Sequence, residues 1–278
     1  MSEKHMHTLI SECQDDAAVQ RVAQVLVGAR RSGQPVTSSG LEQALHKEEQ
    51  AYAVQALVAQ ALGWFDEGAA YWKSGGASRA SPLAHAALPA AGVRHAGASL
   101  DELRWHTPAL EAEIVLRLGQ PVTPARAQQL THEDAAGLVA SMAVAIEIAD
   151  SRWVEGLSAP AWLRLADQGS HGALLIGEWL PWSDHDWANQ VCEVDLDAQP
   201  VVAGAGPHSL GDPSWLLPIW LRHATRDGRT VAAGTVVTTG SWVGAIPMRR
   251  LPSVVDVQVR FPGLGEIGLR DGVVQARR

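Results

Sequence analysis

The stretch Ser141-Met-Ala-Val-Ala-Ile-Glu-Ile-Ala-Asp150 decides how this chain is read. From Ala143 to Ala149 it is apolar except for Glu147, and the run is too short for a buried helix, so it predicts a buried strand. An acid inside such a strand is expensive unless it is paired or holds a metal. Its paired alternative is a salt bridge with Arg152 or another arginine. A second strand is predicted at Glu111-Ala-Glu-Ile-Val-Leu-Arg-Leu118, turned by Gly119-Gln-Pro121. Side chains i and i+2 of a strand share a face, so Glu111 and Glu113 stand side by side. Adjacent carboxylates repel, and once buried they need a cation or a proton between them. Oxygen ligands suit Mg²⁺ or Mn²⁺. The alternative is an acidic face left in water. With Glu147 the two would complete a set of three carboxylates that leaves octahedral positions for water and substrate.

Composition narrows the function from another side. The chain has 278 residues, with 22 Lys+Arg against 30 Asp+Glu, and its formal net charge of −8 argues against tracking nucleic-acid phosphates. A hydrophobic share of 46% with 19% charged residues is a globular balance, enough for one large domain or two modest ones. Cys13 and Cys192 form no CxxC and no disulfide framework, which favours a reducing compartment. Met1 to His7 is polar, without the apolar core of a signal peptide. The most apolar windows, Leu138–Ala149 and Trp215–Leu221, are interrupted by Glu147 and Pro218 and fall short of the ~20 residues that span a bilayer. A cytoplasmic protein with neither nucleic-acid nor membrane partners is expected.

Working outward, residues 15–31 predict an amphipathic helix that Arg30, Arg31 and Gly33 end. A second helix is predicted from Leu41 to Leu62. Residues 74–100 hold no acid, are rich in Ala, Gly, Ser and Pro, and read as a long loop with one helical turn. Thr131 to Asp134 fits a capping box opening a helix to Met142. Short apolar runs at Gly172–Ile176, Gln190–Leu196, Val231–Val237, Val254–Phe261 and Ile267–Leu269 predict strands. The chain divides into a helical N-terminal region, residues 1–70, and a mixed-β region, residues 71–278, expected to pack as one unit.

Lys73 follows two aromatics and precedes Gly75-Gly76, a setting for a partly desolvated ammonium or for a surface lysine. Asp167-Gln-Gly-Ser170 and Thr238-Thr-Gly-Ser-Trp242 are polar turns whose N–H groups suit a carboxylate, or ordinary turns. Asp184-His-Asp186 has metal-ligand chemistry but no third ligand at useful spacing. Gly204-Ala-Gly206 misses the dinucleotide fingerprint, and GxSxG, HExxH and P-loop motifs are absent.

In order along the chain, six segments are similar to motifs of one family. They are Glu49-Gln-Ala-Tyr-Ala-Val-Gln55, Tyr71-Trp-Lys73 with Gly75, Glu111-Ala-Glu113, Ala145-Ile-Glu-Ile-Ala-Asp-Ser-Arg152, Asp167–Ser170 and Thr239-Gly-Ser241. From the second helix to the C-terminus the chain resembles the hydratase/decarboxylase branch of the fumarylacetoacetate hydrolase superfamily. The resemblance implies an α+β fold, a mixed β-sheet roll or barrel with a helical N-terminal region. It implies that Glu111, Glu113 and Glu147 hold Mg²⁺ or Mn²⁺, which chelates the carboxylate and 2-oxo group of a 2-keto acid. Lys73 would stabilise enolate charge or move a proton, Ser170 would act beside it, and Thr239, Gly240 and Ser241 would bind substrate. A homo-oligomer is implied too.

The implied activity is a lyase that adds water to a 2-hydroxy-2,4-dienoate of the 2-keto-4-pentenoate type, giving a 4-hydroxy-2-oxo acid in aromatic catabolism. One departure matters. The family's Asp in a Pro-Asp-x-Gly segment is Ala90 here, in Pro89-Ala-Ala-Gly92, and no other acid lies between Lys73 and Asp101. His85 and His95 are the candidate substitutes. The loss favours the alternative of a decarboxylase acting on a 2-oxo-enedioate of the 4-oxalocrotonate type, which needs no water attack. A non-catalytic partner or keto-acid binder is the third reading. The retention of all three glutamates and Lys73 argues against it.

Overall fold

The computed structural model describes residues 3–66, 68–183, 185–249, 252 and 255–277, with side chains from Asp15 onward. Two helices come first, α1 (Glu3–Ser32) and α2 (Glu48–Leu62). Arg30 and Arg31 occupy the last turn of α1, where cations complement the helix dipole. Gly33, at φ +65, stops the helix and donates its N–H to the Ala29 carbonyl. α2 begins at Glu48, not at Leu41. Leu41 and Leu45 are buried in the turns before it, and the Gln50 side chain takes the His46 N–H at 2.9 Å, which closes those turns rather than extending the helix.

The strands are β1 (Tyr71–Gly75), β2 (Ala84–Leu88), β3 (Val93–His95), β4 (Ala109–Leu118), β5 (Val139–Ala149), β6 (His171–Ile176) and β7 (Leu180–Pro181). Then come β8 (Cys192–Leu196), β9 (Gln199–Ala205), β10 (Val236–Thr238), β11 (Ile246–Pro247), β12 (Val257–Phe261), β13 (Gly265–Arg270) and β14 (Val273–Arg277). Short helices α3 (Pro124–Gln129), α4 (His132–Ala136), α5 (Ala161–Ala166) and α6 (Leu217–Ala224) lie between them. The larger sheet runs β2-β1-β10-β4-β5-β6-β3, with β11 on β4 and β7 on β5. It is mixed: β1 with β10 and β3 with β6 are parallel, and the other pairs are antiparallel. A second, antiparallel sheet runs β14-β13-β12-β8-β9. This is the expected α+β fold, with the large sheet curled into a half-barrel.

Strand alternation divides the large sheet into two faces. Leu110, Ala112, Ile114 and Leu116 of β4, with Met142, Val144, Ile146 and Ile148 of β5, join the main core with Trp220 and Phe261. Val115, Ala143 and Ala145 point the other way, into a smaller cluster with Leu174, Ile176 and Val236. Glu111, Glu113 and Glu147 have the parity of this second face. A separate cluster joins α1 and α2 to Trp153 and Leu163. Among the described residues no helix is long and apolar enough to cross a membrane.

Several boundaries differ from expectation. The 74–100 stretch carries parts or all of three strands and a 3₁₀ turn at Ala90–Gly92, not a long loop. Ala-rich β2 has weak strand propensity and is held as a strand by its pairing with β1, while β1 and β3 pair with the distant strands β10 and β6. The capping box is present, with Thr131 Oγ1 accepting the Asp134 N–H at 3.2 Å, but α4 stops at Ala136. From Val139 the chain pairs with β4 along its whole length, and that ladder overrides the helix predicted to Met142. Val231 pairs only with Val122, so the run 231–237 contributes just its end to β10. Val254 lies outside the described residues.

Trp153 is fully buried in the helical cluster, and its Nε1 donates to the Leu163 carbonyl at 2.9 Å. Trp153→Ala is expected to lower unfolding free energy by ~3–5 kcal/mol. A urea titration followed by circular dichroism checks it.

Candidate active site

Glu111 and Glu147 are direct cross-strand partners, and Glu113 is two residues along the same face of β4. One oxygen from each of the three lies within 4.8 Å of the others. Glu113 and Glu147 are buried at 1% and 0% exposure, and Glu111 is half-buried. The solvated-face alternative therefore fails. So does the Arg152 partner for Glu147, because Arg152 pairs with Asp167 instead. Glu147 Oε1 takes hydrogen bonds from Lys73 Nζ at 2.7 Å and from His171 Nδ1 at 3.0 Å. Among the described residues its Oε2 is buried without a partner. Glu113 Oε2 accepts the Gly240 N–H at 3.0 Å.

Lys73 is on β1, and β10 and β4 lie between it and Glu147 on β5. Three strand spacings are ~14 Å on a flat sheet, more than one lysine side chain can cross. The curl of the sheet brings them together. The parallel pairing of Lys73 with Thr238 sets the lysine's height, and Nζ also donates to the Gly169 carbonyl at 3.2 Å. That carbonyl belongs to a strained turn: Gln168, Gly169 and Ser170 all have positive φ, at 47°, 62° and 59°. A Cβ at residue 169 would meet Lys73 Cδ at 3.3 Å, so the turn needs glycine there. Asp167 anchors the turn from below. It accepts from Arg30 at 2.8 Å, from the Arg152 N–H at 2.8 Å and from Arg152 Nε at 3.2 Å. Arg30 also reaches Gln168 Oε1 at 2.9 Å, so the end of α1 clamps the turn.

Two buried carboxylates and a half-buried one against one lysine leave excess negative charge. Burial, followed by repulsion from Glu147 and Glu111, pushes Glu113 up to about 8. Burial raises Glu111 as well. For Glu147 burial acts in the same upward direction, but Lys73 and His171 outweigh it and hold the carboxyl at about 2. Burial works against the Lys73 charge, and the three carboxylates overcome it, holding the ammonium above its usual range. An orphaned carboxylate oxygen beside two carboxyls forced toward their protonated forms is an environment that a divalent cation with oxygen ligands fits.

The remaining candidates take varied positions. Ser170 Oγ is buried without a partner among the described residues. Thr239 Oγ1 donates to the Ile114 carbonyl at 2.8 Å, and Ser241 Oγ to the Gly244 carbonyl at 2.9 Å. Of that turn, the Gly240 backbone touches the carboxylates. Gly75 is packed against it, where a Cβ would meet Gly240 Cα at 3.1 Å. His85 is turned to Ser74 Oγ and the His223 ring, and His95 is exposed, so neither stands at the carboxylates. Asp186 accepts from Asn189, His185 pairs with Gln190, and Asp184 lies outside the described residues. His171 is the residue that sequence reasoning missed. The strand read from Gly172 excluded it by one position, although it directly follows the Asp167–Ser170 turn. A cavity of about 1200 Å³ is lined by Tyr52, Trp72, His223 and Arg226, and none of the three glutamates lines it. The three carboxylates, the Lys73 ammonium and the His171 imidazole converge at a different place, on the face of the curled sheet.

The signature described as fumarylacetoacetate (FAA) hydrolase C-terminal matches residues 69–270. A 2-keto-4-pentenoate hydratase 2 from Dechloromonas aromatica (strain RCB) is 28% identical over 269 residues, covering 90% of this chain and 96% of that protein. A 4-oxalocrotonate decarboxylase from a Pseudomonas species is 27% identical over 154 residues, spanning 55% of this chain and 57% of the relative. The solved 4-oxalocrotonate decarboxylase from Pseudomonas putida G7, complexed with magnesium and adipate, shares the fold. Its TM-score is 0.76 at 19% identity, over 91% of this chain and 96% of that one.

The raised Glu113 has a thermodynamic sign. The folded chain binds this proton more tightly than the unfolded chain does, so the stabilisation is complete below the ordinary carboxylate range. It is lost as pH climbs through about 8. With a chelator present, Tm is expected to fall between pH ~5 and ~8, and Glu113→Gln is expected to flatten that fall. Differential scanning calorimetry across the range checks both.

Proposed function

The chain belongs to the fumarylacetoacetate hydrolase family, and on that premise we propose that it is a divalent-metal-dependent lyase acting on a 2-hydroxy-2,4-dienoate. It would add water to give a 4-hydroxy-2-oxo acid. The observation that carries the reading is the convergence of Glu111, Glu113 and Glu147 with Lys73 on one face of the curled sheet. Glu111, Glu113 and Glu147 would hold Mg²⁺ or Mn²⁺, whose Lewis acidity would stabilise negative charge on the 2-oxygen of the substrate.

The reaction balances as follows. The 2-hydroxyl loses its proton and C5 gains one, giving the 2-oxo-3-enoate. Water then adds its oxygen to C4 and a hydrogen to C3. Negative charge develops at the 2-oxygen in both stages. Lys73 places a permanent ammonium beside that charge, pre-organised by Glu147 and the Gly169 carbonyl. Ser170 Oγ, without a partner in the fold, is free to hydrogen-bond the substrate. The Thr239–Ser241 turn, tied to Ile114 and Glu113, borders the carboxylates and orients the substrate through its backbone. The hydratase relative, aligned over 90% of this chain, supports hydration as the first reading.

A second reading has its own observation. The turn Ala90–Gly92 carries no acid, so a carboxylate for handling the attacking water is missing there. Decarboxylation of a 2-oxo-enedioate breaks a C–C bond and leaves its electrons in the dienolate, with no water to activate.

Incubation with 2-hydroxypenta-2,4-dienoate and Mg²⁺ is expected to bleach the dienoate absorbance and yield 4-hydroxy-2-oxopentanoate by NMR. CO₂ release from an oxo-enedioate, with no reaction on the dienoate, would replace hydration with decarboxylation. Glu113→Gln is expected to abolish turnover and leave the fold intact. Lys73→Met is expected to lower kcat by ~10²–10³-fold.

A further inference from the structure

We infer that His171 is the positioning residue that orients Glu147, tying one carboxylate oxygen to the protein and leaving the other for a divalent cation. The inference rests on the metal-dependent reading above. Two donors converge on Glu147 Oε1, Lys73 Nζ at 2.7 Å and His171 Nδ1 at 3.0 Å, while Oε2 is buried with no partner. A carboxylate only accepts hydrogen bonds when ionised, so Nδ1 carries the hydrogen that it shares with Oε1. Lysine is a point charge on a flexible stem and tolerates either carboxylate oxygen. An imidazole is planar and donates in one direction, so it selects one oxygen and one rotation of the carboxylate plane.

The ring is itself held. His171 opens β6 at a register shift in its pairing with β5, opposite Ala149. Its Nε2 edge abuts Gly92 in the Ala90–Gly92 turn, where a Cβ would lie 3.1 Å from Nε2 and 3.3 Å from the Gly172 carbonyl. Glycine at residue 92 leaves room for the ring, and the turn backs it against Glu147. Among the described residues Nε2 has no hydrogen-bond partner, so the ring's directional polar contact is the one to Glu147. Hydrogen bonds to a ligating carboxylate of this kind sustain metal affinity.

The test is Mn²⁺ binding by electron paramagnetic resonance of the free ion, with Mg²⁺ in competition, on the full chain. Asparagine carries its amide nitrogen where Nδ1 sits, and glutamine carries it toward Nε2. His171→Asn is expected to stay within ~3-fold of the parent Kd, and His171→Gln to bind at least ~10-fold more weakly. A role in filling space alone predicts the reverse order, since glutamine fills the site better. Gly92→Ala keeps every donor and displaces the ring, so weaker binding is expected there too. Metal-free melts establish that each variant folds. Equal affinity in the Asn and Gln variants, or parent affinity in folded Gly92→Ala, overturns the inference while the metal reading stands. A parent chain that binds no Mn²⁺ overturns both.

Discussion

Glu147 lies fully buried in the central strand β5, and it remains ionised because Lys73 and His171 both donate to one of its oxygens. Much of the architecture follows from meeting that demand. Lys73 reaches Glu147 over two intervening strands, which requires a curled sheet. The lysine needs the Gly169 carbonyl on its other side, which requires a turn with three consecutive positive φ angles. That turn needs Asp167 beneath it, and Asp167 needs Arg30 and Arg152. The helical N-terminus is thereby coupled to the site through charge-assisted hydrogen bonds as well as apolar contact.

The two central strands were legible because their chemistry is periodic. β4 and β5 alternate between core apolar residues and the face that bears the carboxylates, so the sequence alone groups Glu111, Glu113 and Glu147. Lys73 and the Asp167–Ser170 turn were legible through resemblance; nothing local to them reveals the glutamate they serve. β2 is hidden because an alanine-rich segment has no strand signal of its own, and β1 and β3 because five and three residues are too short to show an alternation. The length of α4 was misread because a good cap says where a helix starts, and the ladder of the next strand decided where it ends. His171 escaped because its role depends on cross-strand geometry. Thr239 and Ser241 show the converse: both drew notice as polar turn residues, yet their hydroxyls serve neighbouring carbonyls.

The molecule also separates two environments on either side of β1. Lys73 faces the glutamates, whereas Trp72 lines the large cavity with Tyr52 and His223. His85 and His223 are in contact on that side with ring centroids 4.5 Å apart and planes tilted by 39°, and burial lowers both, His85 to about 4 and His223 to about 2. Histidines held neutral in this way add no positive charge behind the strand that presents the ammonium.

The position of β10 has a consequence for how the molecule comes into being. It sits between β1 and β4, yet its residues, Val236–Thr238, leave the ribosome long after both neighbours. During synthesis the carboxylate-bearing strands and the lysine-bearing strand exist as separate pieces with an open seam between them. The last-made third of the chain supplies the wedge that joins them. Such a seam is a non-local contact of high order, slow to close and exposed to wrong pairing until it does. A chain that stalls before this segment carries all four charged groups and has no route to assemble them.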